Sequence, residues 1–145
     1  MKQETVHVCY LPLAHIFEQL ITNVVLLVGG REAFLTGGPE TLMADIRQAQ
    51  PTMLVAVPRV LTRLYTEYHK KIPSLRFVKK MLNYTIKRKH DEQSMGKFDQ
   101  CNTIDLLLFK RFRNAFGGRV CLILASGAPL IPEISLFFRA ALNCP

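Results

Sequence analysis

Acidic residues are scarce in this chain: 11 Asp and Glu stand against 19 Lys and Arg over 145 residues, a formal net charge of +8. The imbalance is uneven, with most of the Lys and Arg between Arg59 and Arg119. A basic stretch of this kind fits a nucleic-acid or anionic-membrane partner. It fits equally a solvated helical face of a larger protein whose remainder balances the charge, and that is the plainer reading. Long hydrophobic runs are also missing. The longest, Leu20–Gly30, contains Thr22 and Asn23 and falls short of the roughly 20 residues needed to cross a bilayer. Met1-Lys2-Gln3-Glu4-Thr5 is polar with no apolar stretch behind it, so no signal peptide is expected. Paired cysteines are absent: Cys9, Cys101, Cys121 and Cys144 form no CxxC, and no His lies at metal-ligand spacing from any of them. That argues against zinc and leaves no metal site to name. Cys9 and Cys121 fall inside apolar strand-like runs, as buried thiols of a disulfide-free protein in a reducing compartment would. There is no GxxxxGK[ST] or GxGxxG phosphate loop, no HExxH, and no G-x-S-x-G elbow that would make Ser126 a nucleophile.

What is present is apolar content enough for a core: hydrophobic residues make up 49% and charged ones 21%. Val6–Leu11 alternates and is rich in β-formers, which predicts a strand ending at Pro12. Apolar residues then recur at helical spacing from Ala14 to about Val28, and Gly29-Gly30 closes that helix. Glu32–Thr36 is a short strand. Pro39 sits at the first turn of a helix that runs to about Gln50. Thr52–Val57 is a continuous apolar run, the pattern of a strand buried on both faces. Arg59–Lys70 reads as a helix. Ser74 is placed to cap a long basic helix reaching about Glu92, whose Phe77, Met81 and Tyr84 form one apolar stripe. Gln93–Cys101 reads as a loop, Asn102 or Thr103 caps a helix to Phe116, Arg119–Ala125 is a strand, and Pro132 opens a last helix. The alternation predicts an α/β fold: a parallel sheet of about four strands with flanking helices. It also leads us to expect an unfinished sheet edge, as in a piece of a larger domain.

Three segments carry possible chemistry. Tyr10–Glu18 lies where a strand ends and a helix begins, the position at which open α/β sheets bind ligands. There His15 can donate a hydrogen bond to a carboxylate or phosphate, although a lone His beside an apolar helix is more often a packed or capping group. Ser126-Gly127-Ala128-Pro129-Leu130 also follows a strand and precedes a helix. Its small residues allow a flat ring to approach the backbone, while a plain tight turn explains the same residues. Arg59 occupies a first helical turn, a poor place for a cation. That hints at an anion, with a solvated side chain as the plainer explanation.

In order, these segments resemble the long-chain acyl-CoA synthetases of the adenylate-forming superfamily. The resemblance rests on Tyr10-Leu11-Pro12-Leu13-Ala14-His15-Ile16-Phe17-Glu18, on Gln50-Pro51-Thr52 and Val57-Pro58-Arg59-Val60-Leu61, on Phe116-Gly117-Gly118-Arg119-Val120, on Ser126–Leu130, and on Phe138-Arg139-Ala140-Ala141-Leu142. It implies part of a large N-terminal AMP-binding domain over residues 1–145. It implies activation of a fatty acid by ATP and Mg2+ to acyl-AMP, followed by transfer to coenzyme A. By the same resemblance His15 sits near the acyl carboxylate and adenylate, and Ser126, Gly127, Ala128 and Pro129 form a wall of the adenine pocket. Phe17 either borders the acyl tunnel or belongs to the core, and Glu18 matches a family position with no role to assign. The family's Ser/Thr/Gly-rich phosphate loop, its Tyr-Gly-x-Thr-Glu segment, its ribose-binding Asp and its C-terminal Lys are not in the chain. The chain alone is therefore expected neither to bind ATP well nor to turn over. An intracellular location beside an endoplasmic reticulum, mitochondrial or peroxisomal membrane is expected, with peripheral membrane contact and no nucleic acid. Alternative readings are a ligase for another carboxylic acid, a non-catalytic basic module, and a truncated product without function.

Overall fold

The computed structural model describes residues 4–38, 40–72, 75–98 and 102–144. In chain order the elements are β1 (Val6–Cys9), α1 (Ile16–Leu27), β2 (Arg31–Phe34), α2 (Leu42–Ala49), β3 (Met53–Ala56), α3 (Pro58–Lys71), α4 (Arg76–Ser94), α5 (Thr103–Ala115), β4 (Leu122–Ala125) and α6 (Pro132–Leu142). The strands form one sheet in the order β2-β1-β3-β4. β1 runs parallel to β2, with Val6 opposite Arg31, and parallel to β3, with His7 opposite Met53. The bonds from Cys121 N to Thr52 O and from Ser126 N to Ala56 O advance together along β3 and β4, as in a parallel pair. The predicted four-stranded parallel α/β sheet is thus found.

Position in the sheet explains strand burial. The central strands β1 and β3 are buried at every residue, whereas the edge strands β2 and β4 are not. Cys121, expected to be a buried thiol, precedes edge strand β4 and is exposed, while Cys9 in β1 is buried.

The chain divides into two compact units. The first, Met1–Val55 with Arg113–Leu124, holds α1, α2 and most of the sheet. Its core joins Ile21 and Val25 of α1 to Met53 and Val55 of β3, with Phe17, Leu122 and Leu124 packed against them. Each such side chain contributes about 1.5–3 kcal/mol on full burial. Gly117 shows why the Phe116–Val120 segment needs glycine. Its φ is +78°, and a Cβ there would lie 2.6 Å from the Gln50 Cα.

The second unit, Ala56–Phe112 with Ala125–Pro145, is helical. Phe137 of α6 has edge-on or tilted ring contacts with Tyr65, Tyr68, Phe109, Phe112 and Phe138 at centroid separations of 5.1 to 6.1 Å. Such aromatic pairs add about 0.5–1.5 kcal/mol each beyond burial. The face that α4 buries is Leu82, Thr85, Lys89 and Gln93. The stripe expected from sequence is not the core face, since Phe77 and Tyr84 are exposed. That face carries buried charge. Asp105 receives both bonds of a forked pair from Arg88 Nη2 at 2.7 Å, and Lys89 Nζ lies 3.3 Å from Asp105 and 2.9 Å from Asn143 Oδ1. α4 also continues through Gln93 and Ser94, where a loop is expected from sequence, because the Gln93 amide donates to the Arg139 carbonyl at 3.0 Å. Ser74, expected to cap α4, lies outside the described residues, as does Pro39; the residue flanking α4 is Leu75, which makes no side-chain cap bond.

Candidate functional site

His15 lies in the turn that follows β1. Its backbone N–H donates to the Pro12 carbonyl at 2.8 Å, which closes the turn and leaves His15 extended at the start of α1. β1 stops at Cys9, two residues before the predicted end. The His15 ring caps the helix: Nδ1 accepts from the Phe17 N–H at 3.3 Å. A ring nitrogen that accepts carries no proton, so in the neutral ring the proton sits on Nε2. His15 is therefore a capping group and a donor at once. Its side chain is exposed at a helix N-terminus, where unpaired N–H groups favour negative charge.

α1 is apolar on two faces. One is the core face, where Ile21 and Val25 are buried and the half-buried Phe17 packs against them. The other begins next to His15 and runs outward through Ile16, Leu20, Val24 and Leu27, which are 46–85% exposed. A soluble helix seldom leaves such a stripe uncovered.

Beneath the N-terminal turn lies a pair to which the sequence alone assigns no role. Glu18 of α1 and His7 of β1 are fully buried, with Glu18 Oε1 2.6 Å from His7 Nε2. The pair fixes the first turn of α1 to β1 and so holds the helix that His15 caps. Burial, followed by the neighbouring Glu18 carboxylate, pushes the Cys9 thiol up to about 12. A His within an otherwise apolar strand and a Glu on the core face of a helix are the available signals; their meeting depends on the register of α1 on β1.

Ser126, Gly127, Ala128 and Pro129 lie in the second unit, at the carboxyl end of β4. The Ser126 N–H donates to the Ala56 carbonyl at 3.3 Å. Gly127 has φ +95°, and the nearest atom to a Cβ placed there would be Val57 Cγ1 at 3.9 Å, so the backbone conformation and not space demands glycine. Gly127, Ala128 and Pro129 are exposed. Arg59, in the first turn of α3, is exposed.

Turns after the carboxyl ends of parallel strands are where open α/β sheets bind ligands, and the chain belongs to the AMP-binding enzyme family, whose pattern it matches over residues 1–145. It is 38% identical over 142 residues to long chain acyl-CoA synthetase 3 of Arabidopsis thaliana, covering 96% of this chain and 21% of that protein. It is 37% identical over 140 residues to long-chain-fatty-acid–CoA ligase 6 of Rattus norvegicus, covering 96% and 20%. The chain thus spans about a fifth of the length of these relatives. Among solved structures it resembles the A domain of carboxylic acid reductase from Segniliparus rugosus, determined with AMP and a co-purified carboxylic acid. The TM-score is 0.65 at 22% identity, over 97% of this chain and 19% of that one, which is a likeness of fold.

Proposed function

We propose that this chain is part of a long-chain fatty acid–CoA ligase, an acid–thiol ligase, and that it contributes to the acyl-adenylate centre within a larger AMP-binding domain. A fatty carboxylate oxygen attacks the α-phosphorus of ATP and pyrophosphate leaves. The thiolate of coenzyme A then attacks the acyl carbon and AMP leaves. The first step brings two anions together, so the centre must supply donors where negative charge collects. The Nε2–H of His15 is such a donor for an acyl or phosphate oxygen, and the exposed stripe of Ile16, Leu20 and Val24 suits the alkyl chain. The Ser126–Pro129 turn forms a wall for adenine. The observation that carries the reading is the His15 cap, because occupation of Nδ1 leaves Nε2–H free for a ligand. The likeness to acyl-CoA synthetases over nearly the whole chain supports the fatty acid as substrate class.

Mg2+ accompanies ATP in this proposal, where it offsets phosphate charge. Among the described residues no group of three or more His, Cys, Asp or Glu is placed to hold a metal ion. No step is assigned to a metal in this chain. The reading also carries an intracellular location and peripheral contact with a fatty-acid-bearing membrane; no helix of the described residues is long and apolar enough to cross one.

The test is binding of acyl-sulfamoyl adenosines, stable mimics of the acyl-adenylate, to the purified chain, followed by NMR. A palmitoyl compound is expected to bind more tightly than acetyl or benzoyl compounds, without palmitate-dependent pyrophosphate release by the chain alone. A preference for the benzoyl compound would move the assignment to a ligase of aromatic acids, and turnover by the chain alone would contradict its partial character.

A further inference from the structure

Helices α3, α4 and α6 of the second unit border an open groove of about 490 Å³, within the usual range for small-molecule sites. Its floor is apolar: Leu82 and Phe137 are buried, and Ile86 and Leu136 are half-buried beside them. Its rim is basic. Lys79, Lys87 and His90 line it from α4, and half-buried His69 faces the groove from α3. Among the described residues the ion pairs of α4 engage Arg88 and Lys89, and none engages Lys79 or Lys87. One carboxylate lines the groove, Glu133, and it accepts a hydrogen bond from the Tyr65 hydroxyl at 2.7 Å. Two ammonium groups stand against one carboxylate, so the lining carries a net positive charge. His69 donates from Nδ1 to the Tyr65 carbonyl at 3.0 Å and lies against the Tyr65 ring at a centroid separation of 4.0 Å, which holds its ring to the wall.

We propose that this groove binds a single-chain anionic amphiphile, a fatty carboxylate or an alkyl phosphate. The head group lies between Lys79 and Lys87, and the chain lies over Leu82, Ile86, Leu136 and Phe137. Neither half of the site suffices for another ligand class. Exposed lysines alone hold a small anion weakly, and an apolar floor alone gives no reason for a cationic rim. The site is separate from His15 and from the Ser126–Pro129 turn, and the proposal does not depend on the adenylate-forming reading.

The experiment titrates the 145-residue chain, followed by methyl and aromatic NMR, with decanoate and with decyl phosphate below their micelle concentrations. Decanol serves as the neutral control and inorganic phosphate as the head group alone. Both anionic amphiphiles are expected to shift the Leu82, Ile86 and Leu136 methyls and the Phe137 ring saturably. The tighter of the two identifies the head group. The double variant Lys79→Glu, Lys87→Glu alters only rim side chains and keeps the fold by circular dichroism; it should weaken binding about tenfold or more. Decanol binding as tightly as decanoate, an affinity unchanged in the double variant, or the absence of saturable shifts at these residues would each overturn the proposal. Shifts confined to α1 would overturn it too, while leaving an acyl role for the Ile16–Leu27 stripe intact.

Discussion

Asp45 stands in the first turn of α2 and accepts from the Thr36 hydroxyl at 2.8 Å, the Thr41 hydroxyl at 2.8 Å and the Thr36 N–H at 3.1 Å. These bonds, that of the Thr36 hydroxyl foremost, hold its carboxyl below the usual 3.8. A depressed folded-state value means that the contribution is present above the unfolded value and is lost as pH falls through the folded one. Acid titration of stability should therefore steepen below about pH 4, and Asp45→Asn should flatten that limb. An unchanged limb in the variant would show that other carboxylates dominate. The cysteines give a second residue-scale prediction. Cys9 is buried with its thiol pushed up to about 12, whereas Cys121 is exposed. Iodoacetamide at mildly alkaline pH should modify Cys121 well before Cys9, read by peptide mass spectrometry; equal rates would contradict the burial of β1. The difference is not legible in the sequence, because both cysteines occupy apolar runs and only the strand order β2-β1-β3-β4 separates a central strand from an edge.

At the scale of elements, the pair between His7 and Glu18 ties α1 to β1. Removing one partner of such a pair leaves the other buried without its bond. Glu18→Ala should cost about 3 kcal/mol in chemical denaturation, whereas the exposed Gln19→Ala should cost under about 0.5 kcal/mol. Similar losses for the two would remove the tether from the account. In the helical unit, Phe137→Ala should cost about 3–5 kcal/mol, because the vacated space is walled by other rings. Denaturation midpoints of the variant and the parent chain check this. Element identity is well marked by periodicity and by Gly and Pro, and the ends less so. α1 begins at Ile16 because the His15 ring replaces a helical bond, and α4 runs past Glu92 because Gln93 finds a partner on α6. The buried face of α4 differs from the one its sequence suggests. Apolar content favours Phe77 and Tyr84, while the structure buries Lys89 against Asp105 and leaves Arg88 half-buried beside it. Partners 16 or 17 residues apart in sequence leave no periodic signal.

For the whole molecule, the parallel α/β sheet and the turns after β1 and β4 follow from the order of the segments, and membership of the AMP-binding family agrees with that order. The chemistry of His15 needs the structure, since only the cap bond to Phe17 fixes which ring nitrogen keeps the proton. The most direct test of an acyl-adenylate role is therefore the nitrogen NMR spectrum of the His15 ring with and without palmitoyl-sulfamoyl adenosine. The account predicts the Nε2–H tautomer in the free chain and a downfield, exchange-protected Nε2–H on binding. Unchanged His15 signals at saturating ligand, or an Nδ1–H tautomer in the free chain, would contradict it.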